Sequence, residues 1–144
     1  MNETLDTYRG VVYPWHCDHM GHMNVMWYVG KFDEATWNLF SHLGLTPSFL
    51  RTEARGMAAV EQRIAYLSEL HAGDTVAIRS GVVAVSAKTI RFFHEMRKGE
   101  NDALAAVTLL TGVHIDTVAR KSVPLPEEVA AHAQRHVVDY QLPW

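Results

Sequence analysis

The sequence predicts an α+β domain in which one long helix covers an antiparallel sheet. Three observations carry this. Apolar residues recur at helical spacing from Val25 to Leu43. The second half of the chain divides into segments rich in β-branched and aromatic residues. Short turns separate those segments, and strands joined by short turns pair antiparallel. A lone sheet must cover one face, and only the long helix is large enough to do so.

Residues 7–15, TYRGVVYPW, have the composition of a first strand. Pro14 marks an edge or an end, because proline cannot donate to a ladder. A polar turn follows, with His16, Cys17, Asp18, His19, His22 and Asn24 within nine positions. The long helix comes next. Val25, Val29, Phe32, Thr36, Leu39, Phe40 and Leu43 draw one stripe, while Lys31, Glu34, Asn38 and Ser41 fill the other side. Asn24 is suited to cap its start and Gly44 to end it in the left-handed region. A second, short helix is expected over residues 46–53, with Thr46 as cap and Pro47 in the first helical position.

Residues 57–70 alternate, with Val60, Gln62, Ile64 and Tyr66 two apart, and read as a strand. HAGD, residues 71–74, is a turn. Residues 75–86, 89–97 and 103–116 form three further strands, with Gly112 marking a bulge in the last. PLPEEVAAHAQRH, residues 124–136, is a terminal helix with acidic residues in its first turn.

Bulk properties narrow the function. A chain of 144 residues is one domain, 1–144, and buries roughly 68–70% of its unfolded surface. The net charge of −3 speaks against a nucleic acid or an anionic membrane as partner. One cysteine precludes an intrachain disulfide. The first residues lack a basic and apolar leader pattern, and no apolar run approaches the length of a membrane span. A cytoplasmic location is expected.

The motif D-x-x-G-H-x-N-x-x-x-Y, here Asp18, Gly21, His22, Asn24 and Tyr28, precedes the helix that carries Glu34 and Ala35. With the Tyr66…Gly73-Asp74 spacing and the late Pro-Leu-Pro, it resembles the 4-hydroxybenzoyl-CoA thioesterase family. That resemblance implies the hotdog fold, a curved antiparallel sheet wrapped around one long helix, and hydrolysis of an acyl-CoA. It implies Asp18 as nucleophile or general base and the Val25 backbone N–H as oxyanion donor, with His22 and Asn24 beside them. It places CoA phosphates against Lys88, Arg91, Arg120 and Lys121. It also implies a homodimer or homotetramer with sites between subunits, so these cations can serve a neighbour's Asp18. Val25 stands where many relatives have a second asparagine, which matters little if only its N–H acts.

The stretch CDHMGHMNVMWYVGKFDEATW further resembles the thioesterase domain fused to some carnitine dehydrogenases. That implies a betainyl acyl group, whose trimethylammonium would sit among aromatic faces and carboxylates. Trp15, Trp27, Trp37, Glu34 and Glu61 are the candidates; the tryptophans otherwise serve as core or subunit contacts. No cofactor is expected. His16, His19 and His22 match no standard zinc spacing, so no metal is expected there. Cys17 is read as a structural thiol: in a continued strand it would face away from Asp18. Two alternatives stand beside the thioesterase, a hydratase or dehydratase of the same fold and a non-catalytic acyl-CoA-binding module.

Overall fold

A computed structural model describes residues 3–144. The elements are β1 (Leu5–Val11), a 3₁₀ turn (Pro14–His16), α1 (Val25–His42), α2 (Pro47–Thr52), β2 (Arg55–Tyr66), β3 (Thr75–Val85), β4 (Thr89–Lys98), β5 (Leu104–Asp116), β6 (Lys121–Ser122) and α3 (Glu127–Arg135). They form a helix-on-sheet α+β fold whose antiparallel sheet has the strand order β1-β3-β4-β5-β2, with the two-residue β6 added to β5.

The first strand stops at Val11, short of the expected residue 15. Pro14 opens a 3₁₀ turn instead. The alternating-face argument for Cys17 therefore lapses. Cys17 instead bridges Met23 across a narrow loop and packs against the core.

The order of the strands also departs from expectation. β3, β4 and β5 form the meander that their short turns dictate. β2 does not join β3; it pairs with β5 at the far edge. Residues 67–74 carry the chain across, and they are tied to the segment that precedes α1. Met23 N–H donates to the Leu70 carbonyl at 2.7 Å, Gly73 N–H to Val12 at 2.8 Å, and Val12 N–H to Asp74 at 2.8 Å. The crossing thus braces the start of the long helix.

Helix α1 begins and ends where its caps predict, with Gly44 at φ +102°. Its buried face is shifted around the axis. Tyr28, Phe32, Ala35, Thr36, Leu39 and Phe40 face the sheet, while Val25 and Val29 lie in the open. Lys31 is buried too, its ammonium donating to Tyr8 Oη at 3.2 Å and the Val11 carbonyl at 3.3 Å. A lysine can occupy an apolar face when its stem packs and its head finds oxygens.

The expected bulge belongs to the partner strand. Val60 of β2 is the extra residue, opposite an unbroken β5. Gly112 is needed for close packing: a Cβ there would lie 3.3 Å from Met57 Cε and 3.5 Å from Phe40 Cζ.

Two apolar clusters flank a buried polar chain. Near the start of α1 lie Val12, Met23, Phe32, Leu70, Ile78 and Met96. Towards its end lie Leu39, Leu43, Val82, Ile90, Phe92 and, from α3, Val129 and Ala133. Between them Thr7 meets Ser80 at 2.7 Å, Ser80 meets His94 Nδ1, and His94 Nε2 meets Thr36 Oγ1 at 2.8 Å. Thr36 in turn donates to the Phe32 carbonyl at 3.0 Å. Because Thr36 donates to Phe32, Nε2–H donates to Thr36 and Ser80 donates to Nδ1, while the single Thr7 proton is shared between Ser80 and the Ile78 carbonyl at 3.3 Å. This chain links β1, β3, β4 and α1.

Residues 137–144 form a strap across the sheet's outer face. Val138 N–H donates to Val82 at 2.8 Å, Tyr140 stacks on Phe93 at 3.8 Å and donates to Glu95 at 2.9 Å, and Trp144 lies over Arg63. Short-range sequence patterns carry no signal for this course.

Burial pushes the His94 imidazole down to about 3 from its ordinary 6.5, so the folded chain keeps it neutral. Below roughly pH 6.5 the unfolded chain binds a proton that the folded chain refuses until about pH 3. This contribution is therefore complete above the unfolded pKa and is lost as pH falls through that window, at about 1.4 kcal/mol per pH unit. In urea titrations across the window, His94→Gln is expected to flatten the pH dependence by that amount. An unchanged slope would contradict the assignment.

Candidate active site

The loop before α1 is shaped by two local demands. Gly21 takes φ +84° and donates its N–H to the Asp18 carbonyl at 3.0 Å, closing a tight turn. Asp18 N–H then reaches the His22 carbonyl at 3.2 Å, and Asn24 N–H reaches His16 at 2.9 Å. The chain folds back on itself and delivers Asp18 beside the helix start.

Asn24 joins the two. Its Oδ1 accepts the Met26 N–H at 2.9 Å, and its Nδ2 donates to Asp18 Oδ2 at 2.7 Å. The other carboxylate oxygen accepts the Met20 N–H at 2.9 Å. These donors, Asn24 first and Met20 second, hold the Asp18 carboxyl below the usual carboxylate range. Asp18 is thus ionised at neutral pH.

The helix start retains one unclaimed donor. Met26 N–H is capped by the Asn24 side chain, and Trp27 N–H reaches the Asn24 carbonyl at 3.0 Å. No acceptor among the described residues takes the Val25 N–H. An unpaired N–H at the positive end of an 18-residue helix is a ready site for developing negative charge.

A cleft of about 220 Å³ opens beside it, lined by His22, Met23, Val25, Tyr28, Tyr66, Leu67, Ser68 and Glu69. Tyr28 and Tyr66 meet edge to face at 5.1 Å. Tyr28 donates to the Ser68 carbonyl at 3.1 Å, and burial, then the Glu69 charge, pushes its phenol up to about 12. His22 Nδ1 lies 3.2 Å from the Met23 carbonyl, and Nε2 lies 4.0 Å from Glu69. Neither Asp18 nor Asn24 lines this cleft; Asn24, which holds Asp18, lies between Met23 and Val25, which do.

The other residues singled out from sequence fall elsewhere. Trp15 is exposed and stacked on Tyr13, while Trp27 packs on His16 at 4.2 Å. Glu34 and Glu61 are exposed and outside the cleft. Lys88 donates to Ser122 at 3.4 Å, which brings it beside Lys121 and the Arg120 turn. Arg91 is exposed on β4. The Lys88 group sits with the end of α1, where Leu125 N–H meets the Ala87 carbonyl, roughly 27 Å along the helix from Asp18. Within one chain the cations and the carboxylate are apart. Tyr66 entered the sequence reading through its spacing to Gly73-Asp74, but not as a cleft wall. Glu69 carried no signal, because the crossing that places it depends on β2 pairing with β5.

The turn histidines do not converge on an ion. His16 is buried with Nδ1 accepting the Tyr13 N–H at 3.0 Å, His22 faces the cleft and His19 is exposed.

A family model described as the thioesterase-like superfamily matches residues 12–133. The chain belongs to this superfamily. Among similar proteins, this thioesterase is 26% identical over 135 residues to the betainyl-CoA thioesterase of Pseudomonas aeruginosa, covering 93% of this chain and 84% of that one. It is 27% identical over 109 residues to an L-carnitine dehydrogenase/betainyl-CoA thioesterase of Agrobacterium fabrum, covering 76% of this chain and 22% of that longer protein. Among solved structures, a hypothetical protein from Staphylococcus aureus in complex with CoA superposes with a TM-score of 0.88 at 23% identity, over 99% and 91% of the two chains. A 1,4-dihydroxy-2-naphthoyl-CoA thioesterase from Synechocystis gives 0.80 at 21%, over 92% and 96%. The sheet curled around α1 is the hotdog fold of these neighbours. No helix of the described residues is long and apolar enough to cross a membrane.

Removing the Asn24 donor should return Asp18 towards its ordinary range. In a carbon-detected NMR titration of the carboxyl, Asn24→Ala is expected to raise the Asp18 midpoint. Asn24→Asp, which puts a like charge in place of the donor, should raise it further. The Ala variant also loses a helix cap, about 1 kcal/mol of stability. A midpoint unmoved in both would show that Asn24 does not hold the carboxylate.

Proposed function

We propose that this thioesterase hydrolyses a short or medium acyl-CoA to the free acid and CoA, with betainyl-CoA as the favoured substrate. One observation carries the reading: Asn24 ties an ionised Asp18 to a helix start whose first N–H is free and whose first residue, Val25, lines a cleft.

The thioester carbonyl oxygen accepts the Val25 N–H. As the tetrahedral adduct forms, negative charge grows on that oxygen, and a preorganised donor there contributes roughly 3–4 kcal/mol. Asp18 either takes a proton from an attacking water or attacks the carbonyl carbon itself. In the first case water oxygen bonds to carbon, the C–S bond breaks and the thiolate leaves. In the second a mixed anhydride forms with loss of the thiolate, and water then opens it. Single-turnover hydrolysis in labelled water separates these: label in the Asp18 carboxylate marks direct attack.

The acyl group enters the cleft against the Tyr28 and Tyr66 rings, with Glu69 at the rim. Aromatic faces and one carboxylate suit a quaternary ammonium. This reading agrees with the names of the relatives, and it moves the cation-binding role from Trp15, Trp27, Trp37, Glu34 and Glu61 to the cleft residues.

The Lys88, Arg120 and Lys121 group reads as a CoA phosphate site serving the Asp18 of a neighbouring subunit. Exposed apolar residues along α1 and β2, namely Val25, Met26, Val29, Trp37, Val60 and Tyr66, support a subunit contact on that side.

Three measurements test this. Free-thiol release should fall about a hundredfold or more in Asp18→Asn, while Cys17→Ser retains activity; comparable rates in Asp18→Asn would overturn the role of the carboxylate. Across aliphatic, aromatic, hydroxylated and betainyl CoA esters, Glu69→Gln should reduce kcat/KM for the betainyl ester selectively. Light scattering should give at least twice the 16.2 kDa chain mass; a strict monomer would remove the shared site.

A further inference from the structure

Far from Asp18, three histidines meet where α3 docks on the end of α1. His42 is the last residue of α1. His132 and His136 lie four apart at the end of α3, a spacing that puts both rings on one face. Each ring offers a nitrogen, and these three nitrogens all lie within 4.8 Å of one another. Ring centroids are separated by 5.4 Å for His42–His132, 5.0 Å for His42–His136 and 5.2 Å for His132–His136.

The framework beneath the rings is fixed. Val129 and Ala133 of α3 pack with Leu39, Phe40 and Leu43 of α1 in one buried cluster. Val82 N–H holds the His136 carbonyl at 3.2 Å, and His136 N–H holds Ala133 at 3.0 Å. Among the described residues, the imidazole nitrogens of all three make no hydrogen bond to protein. Three sets of ring donors and acceptors are therefore gathered in one place and left unspent.

We infer that His42, His132 and His136 form a binding site for one late first-row divalent cation, with Zn²⁺ the ion that best suits three imidazoles and an open fourth position. Tetrahedral Zn–N bonds of about 2.0–2.1 Å require nitrogens roughly 3.3–3.4 Å apart, which small ring rotations reach from the observed spacing. The bound ion clamps α3, and the strap that follows it, to the central helix. The rings sit at the opposite end of α1 from the Asp18 of their own chain. Arg135 adds a positive charge nearby. Among the described residues no carboxylate acts on the His132 and His136 rings, so affinity in the micromolar range is expected.

The test uses the full chain stripped with a chelator. Zn²⁺ titration by calorimetry, with Co²⁺ as a spectroscopic probe, should give one ion per chain. Because the ion binds only the folded chain, a free concentration about a hundred times Kd should raise Tm by roughly 5–10 °C. His42 is exposed, so His42→Gln preserves the fold while abolishing both uptake and the Tm rise. His132→Gln should do the same, Arg135→Gln should tighten binding, and the loop variant His19→Gln should bind as the parent does. Uptake that survives His42→Gln, or no uptake at Zn²⁺ concentrations well above micromolar, overturns the site.

Discussion

The two hydrogen bonds of the Asn24 side chain set the rest of the candidate site. One caps α1 through the Met26 N–H; the other fixes the Asp18 carboxylate. A single planar amide thereby couples the position of a charged group to the axis of the longest helix. The cap also decides which helix donor remains. The Asn24 side chain takes the second N–H and its carbonyl the third, and the first stays without an acceptor among the described residues. Serine or threonine would cap as well, but their donor and acceptor share one oxygen, whereas the amide sets them on two separate atoms.

That coupling is useful only if the helix is held still. The buried chain from Thr7 through Ser80 and His94 to Thr36 ties its middle to three strands. The segment 67–74 ties its start, with Leu70 buried under the loop that bears Asp18. Leu39, Phe40 and Leu43 anchor its end against β3, β4 and α3. Burial supplies most of the attachment, and the polar chain adds orientation, since its members pair fully only in one arrangement.

What was legible in the sequence followed from local rules. Asn24, Gly44, Thr46 and Pro47 marked helix boundaries because capping is a property of adjacent residues. The three strands of the meander were readable for the same reason. The resemblance carried by the motif around Asp18 pointed to the start of α1, where Gly21 takes a positive φ and Asn24 caps the helix. The strand order was not legible. β2 pairs with β5 across a long sequence separation, and no short-range pattern encodes that choice. Glu69 was missed as a consequence. Lys31 was assigned to solvent because charge outweighs position in a hydropathy pattern, whereas Tyr8 and Val11 provide the oxygens that let it enter. The meeting of His42 with His132 and His136 was hidden likewise, since α3 reaches α1 only once the sheet has formed.

The central claim is that carboxylate and helix donor address one carbonyl carbon. A crystal structure of the Asp18→Asn variant soaked with an acyl-CoA addresses it most directly. The account predicts the thioester oxygen about 2.7–3.1 Å from the Val25 nitrogen, with the residue-18 side chain on the same carbon and the acyl group against Tyr28 and Tyr66. An acyl-CoA bound with its carbonyl away from the start of α1 in every subunit would contradict it.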